Sequence, residues 1–165
     1  MRLLALRFLC LFSLSVWVGG FTFYGAVVIP VLHESLGSLD TGYVTQRVTD
    51  YLNAAGGVAV VFWWLAAWVD RPSGAGLAGR ARLGLLAATT LILIGLITLH
   101  RIMDMRLESG SLRSFYPLHR AYLLASTAQW FVNLGLMAVV PILWWGRNTG
   151  DIASHSAGSL SSRTW

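Results

Sequence analysis

The sequence predicts an all-α polytopic membrane protein, a four-transmembrane-helix bundle with both termini cytoplasmic. Three observations predict it. Four long apolar stretches occupy 8–32, 54–69, 83–99 and 122–145. The composition is 56% hydrophobic and 12% charged, whereas an ordinary soluble domain carries about 25% charged residues. The twelve basic residues are all arginine and are unevenly placed. With alternating spans and both ends inside, Arg2, Arg7, Arg71, Arg80, Arg82, Arg147 and Arg163 fall on the inner side. Arg47, Arg101, Arg106, Arg113 and Arg120 fall outside. That excess orients the chain by the positive-inside rule and points to the plasma (inner) membrane as its site. A net charge of +5 distributed this way argues against a nucleic-acid partner and for the lipid bilayer.

A hydrocarbon core of about 30 Å needs roughly 20 helical residues. The first span, about 8–32, meets this directly. Gly19, Gly20 and Gly25 lie within it as candidate positions for close helix packing, since small residues let helices approach in lipid. Pro30 is expected to kink or end it. Cys10, the only cysteine, sits in this span, so no internal disulfide is possible. The run is too long for a signal peptide and is expected to be retained. The second span, about 48–69, begins in an amphipathic section where Val44, Val48, Tyr51, Leu52 and Ala55 recur at helical spacing. The Gly-rich segment after Asp70 reads as an inner loop. The third span is about 81–103. The fourth is about 118–145, with Pro117 suited to its first turn. Domain 1–146 is therefore the transmembrane unit, and 147–165, rich in Ser and Gly, reads as a disordered polar cytoplasmic tail. Trp63, Trp64, Trp68, Trp144 and Trp145 would form an inner aromatic belt. Tyr43, Tyr51, Tyr116 and Tyr122 would form an outer one.

Two constellations could carry chemistry. His33, His100 and His119 each end a span on the outer side, and Asp104 lies one helical turn after His100. Imidazole with carboxylate can ligate zinc, copper or iron, and two histidines on different helices can hold haem, so copper and haem are the candidate cofactors. Histidines are equally tolerated at the headgroup level without any ligand. The second constellation is the fourth-span stripe Tyr122, Ser126, Gln129 and Asn133, spaced three and four residues apart on one helix face. Facing lipid it would be costly. Facing the bundle, with Tyr24 and Asn53, it makes either a lined path for a polar solute or interhelical glue. No Asp, Glu, Lys or Arg lies in the central part of any span, which disfavours a charge-relay pump. Phosphate loops, nucleophile elbows and Cys-pair zinc motifs are missing, so the reading leans away from an enzyme.

The element Trp17-Val18-Gly19-Gly20-Phe21-Thr22-Phe23-Tyr24, closing on Val28-Ile29-Pro30, and Leu118-His119-Arg120 with Asn133 resemble a four-helix membrane family that includes transmembrane protein 205. More distantly they resemble the copper-resistance protein D family. The resemblance implies the four-helix core and, through the second family, copper handling. Three functions are thus expected to compete. They are a non-catalytic subunit or scaffold, with other membrane subunits or a homo-oligomer as its partners, a metal- or haem-binding membrane protein, and a small transporter using the stripe.

Overall fold

A computed structural model describes residues 1–70, 77–108 and 112–161, with side chains described outside 37–43, 77–78, 107–108, 112–115, 143 and 145–161. Among the described residues there is no strand. Helix α1 is Arg2–Phe23, a π-helical segment covers Tyr24–Val28, and α2 is Ile29–Val69. They are followed by α3, Leu77–Glu108, and α4, Leu112–Ser161. Among the described residues, four segments are long and apolar enough to cross a membrane: Arg2–Leu36, Val44–Val69, Gly79–Arg106 and Tyr116–Ile142. All exceed the expected spans except at the end of the fourth. The 35 residues of the first would measure about 50 Å as helix against about 30 Å of hydrocarbon, so it must tilt or project.

Contacts between sequence-distant residues set an up-down-up-down arrangement. Cys10 meets Phe62 and Tyr24 meets Thr45, so the first two spans are antiparallel. Thr89 with Asn133 and His100 with Tyr122 pair α3 with α4 in the same sense. Trp130 with Thr22, and Arg7 with Trp144, close the ring between α4 and α1. Side chains sort inside-out relative to a soluble bundle. Phe8, Phe12, Phe23, Leu91, Ile94, Leu124, Phe131 and Ile142 are exposed, as lipid-facing positions require, while Thr89, His100, Ser126, Gln129 and Asn133 are buried.

The interior has a dry layer and a polar region. Leu14, Trp63, Leu86, Leu136 and Val140 are each at most 1% exposed and form the apolar layer. Two reciprocal bonds stitch α1 to α2 there. Trp63 Nε1 donates to the Cys10 carbonyl at 3.0 Å, and the Cys10 thiol donates to the Phe62 carbonyl at 3.2 Å. Two threonines act as relays between helices. Thr22 and Thr90 donate to the carbonyls four residues back, and their oxygens then accept from Trp130 Nε1 at 2.9 Å and Trp64 Nε1 at 3.1 Å.

Several local expectations change. Pro30 does not end a helix. Its ring denies the carbonyl of residue 26 an amide donor, and the preceding segment widens instead, with Ile29 N–H bonding the Tyr24 carbonyl. Pro117 lies inside α4 rather than in its first turn, because the helix already begins at Leu112. The α4 backbone is helical on to Ser161, within the segment that composition reads as a polar tail. A helical ladder is local and does not require burial. Residues 162–165 and the tail side chains lie outside the described residues, as do the side chains of Tyr43 and Trp145. Of the expected belts, Trp64, Trp68, Tyr51 and Tyr116 are exposed, whereas Trp63, Trp144 and Tyr122 are buried in the bundle.

Candidate functional site

Polar side chains occupy three depths. At the end carrying the outer histidines, α3 turns His100 inward, where it is 6% exposed. Its Nε2 lies 3.4 Å from Asp50 Oδ1 on α2 and 3.8 Å from Asp104 Oδ2 on its own helix. The Tyr122 ring tilts beside it at 6.1 Å between centroids. His33, near the start of α2, and His119 on α4 are exposed, unlike the buried His100. Among the described residues no three His, Cys, Asp or Glu side chains are arranged to hold a metal ion. Burial separates the three histidines, His100 inside the bundle and His33 and His119 on its surface. Sequence spacing sets depth along a span, and rotation about the helix axis decides which way a side chain looks.

At mid-depth, Tyr24, Tyr122, Ser126, Gln129 and Asn133 are all buried, and Asn53 is half-buried. Tyr24 donates its hydroxyl to the Thr45 carbonyl at 3.2 Å. The Tyr122 hydroxyl lies beside Ser126, Thr49 and Asn53. Asn133 Oδ1 accepts twice, from Gln129 Nε2 at 2.9 Å and from Thr89 Oγ1 on α3 at 3.3 Å. Above this pair is a cavity of about 10 Å³ to which all four helices contribute, through Trp17 and Phe21, Asn53, Leu96, and Ser126 with Gln129.

At the opposite end lies a charged cluster that sequence reasoning missed as a site. The guanidinium groups of Arg7 on α1 and Arg82 on α3 converge on one carboxylate oxygen, Asp70 Oδ2, at 3.3 and 3.5 Å. Asp70 is 6% exposed and closes α2. Arg7 also lies over the Trp144 ring, 5.1 Å from its centroid, and Trp144 stacks on Trp63 at 5.9 Å. One carboxylate thus ties three helices, and the cation–π contact brings in the fourth. A signal was present. Alternating spans bring Arg7, Asp70 and Arg82 to one face, and Asp70 is the acid nearest a span end there.

The glycines are also redistributed. Gly19 and Gly25 point away from the bundle, and an added Cβ would meet nothing within 4 Å at either. At Gly20 it would meet Leu52 Cδ2 at 3.3 Å. Among the described glycines the tightest contact falls at Gly56, where a Cβ would come within 2.5 Å of the Trp17 ring.

Residues 12–108 match a protein family described as a domain of unknown function (DUF4149). No curated protein and no solved structure gives a significant match.

Proposed function

The chain belongs to the DUF4149 family, and on that premise we propose that it is a non-catalytic scaffold or subunit of a multi-pass membrane assembly. The observation that carries this reading is the double acceptor role of Asn133 Oδ1, toward Gln129 Nε2 and Thr89 Oγ1. The polar stripe is engaged in joining α3 to α4, and the adjoining cavity of about 10 Å³ has the size of one water molecule rather than of a solute. Both termini are assigned to the cytoplasmic face of the plasma membrane, on the arginine distribution and on the Arg7–Asp70–Arg82 cluster at that end.

A second reading is a metal- or haem-binding protein of the kind that the copper-resistance D resemblance implies. It is favoured by His100, buried between two carboxylates. Elemental analysis and a visible spectrum of the detergent-purified protein separate the two, run beside His100→Ala. The scaffold reading expects equal metal content and equal spectra for both proteins. Stoichiometric metal or a haem band that disappears in the variant would overturn it in favour of the second.

A further inference from the structure

We propose that the mid-depth cavity is a binding site for one ordered water molecule, held inside the membrane by Ser126 and Gln129. The argument starts from donors and acceptors. Gln129 Nε2 is committed to Asn133 Oδ1, which fixes the orientation of the amide. Its Oε1 is then a buried acceptor with no donor among the described residues, and Ser126 Oγ, buried beside the Tyr122 hydroxyl, makes no well-formed hydrogen bond there either. These side chains are 4% and 3% exposed, and both line the same cavity. They are three residues apart on α4 and so share its inward face. A buried polar atom left unsatisfied is costly anywhere and has no solvent to turn to in a bilayer.

The cavity meets the requirements of a water site. Its volume, about 10 Å³, is at the lower end of what one water needs, and such a water takes two to four polar partners. Three are at hand: Gln129 Oε1 as acceptor, Ser126 Oγ as donor or acceptor, and the amide of Asn53 on α2 across the cavity. A water donating to Gln129 Oε1 and bonded to Ser126 Oγ satisfies both orphaned atoms. Val18, Phe21, Leu96 and the rings of Trp17 and Trp130 make up most of the remaining wall, and Asn133 completes its polar side. The site would join α4 to α2 at a second level, beside the Tyr122 hydroxyl with Thr49 and Asn53. It holds whether the bundle is a scaffold or carries a ligand elsewhere.

The test is magnetisation transfer from water to side-chain amides, in deuterated protein carrying nitrogen-15 glutamine in lipid nanodiscs. The chain has two glutamines, Gln46 and Gln129, and Gln129→Met assigns the second by loss of its signal. Direct transfer to the Gln129 amide is expected, and its disappearance in Ser126→Val, which removes the hydroxyl and fills the space while leaving the reporter. Transfer to Gln46 with none to Gln129 in the wild type overturns the proposal, as does transfer to Gln129 that persists unchanged in a folded Ser126→Val. If that variant does not fold, a density map that resolves ordered water decides. Density between Ser126 and Gln129 supports the site, and an empty cavity removes it.

Discussion

Gly56 and Asn133 show how differently single side chains are constrained in this bundle. The Trp17 indole packs close to Gly56, and a methyl group there would sit 2.5 Å from it. Gly56→Ala is therefore expected to destabilise by about 1–3 kcal/mol, the usual cost of overpacking. Gly19→Ala, facing open space, should leave the unfolding temperature in detergent unchanged. Equal effects of the two substitutions would contradict this register of α1 on α2. For Asn133→Leu two magnitudes compete. Orphaning buried partners in a soluble core costs about 1–3 kcal/mol each, but interhelical bonds in membranes average nearer 0.6 kcal/mol. The membrane figure governs here, because chains unfolded within lipid also find partners, so a loss of about 1 kcal/mol is expected from equilibrium unfolding. The glycines were the least legible part of the sequence. A glycine's role depends on what faces it, and Trp17 and Gly56 lie on different helices.

The elements are held at one end by a single carboxylate. Asp70→Asn would remove the charged carboxylate that Arg7 and Arg82 share, and removing one partner from a buried ion pair costs about 3–5 kcal/mol. Arg7→Gln should cost less, since Asp70 retains Arg82 at 3.5 Å. Thermal unfolding that ranks Asp70→Asn as milder than Arg7→Gln would refute the role of Asp70 as the shared anchor. The π-helical segment makes its own prediction. It holds one residue more per turn than the α-helix and prepares the chain for Pro30. Deleting Val27, which is exposed, should let the helix return to α-geometry while Tyr24 keeps its phase relative to everything after Pro30. The readout is retention of the Tyr24–Thr45 contact, measured as undiminished cross-linking between cysteines placed at those positions in a cysteine-free background, and loss of the cross-link would refute the one-residue insertion. The existence of the helices was readable from hydropathy alone, but the π-segment was not, since Pro30 announces a disturbance without saying how the backbone absorbs it.

For the whole molecule, the four spans were legible because a bilayer imposes length and apolarity on every crossing segment. Leu91, Ile94, Phe131 and Ile142 show that requirement on the surface. The inward direction of Ser126, Gln129 and Asn133 could be reasoned from the cost of turning them to lipid, whereas the histidines, at span ends where water is near, carry no such compulsion. The proposed orientation is testable on the intact chain. In a Cys10→Ala background, a cysteine at Arg80 should react with a membrane-impermeant maleimide only from the cytoplasmic side, and one at Arg101 only from outside. The reverse pattern would invert the bundle. Whatever its orientation, the interior is electrically lopsided. Between Tyr122 and Asn133 the core contains amides and hydroxyls that can reorient, whereas the layer of Leu14, Leu86, Leu136 and Val140 cannot respond. In a membrane bearing a voltage, the potential therefore falls more steeply across that layer than across the hydroxyl- and amide-rich half. The aliphatic layer then acts as the thin insulator of a capacitor, and a voltage-sensitive probe placed within it would report a stronger field than one placed beside Tyr122.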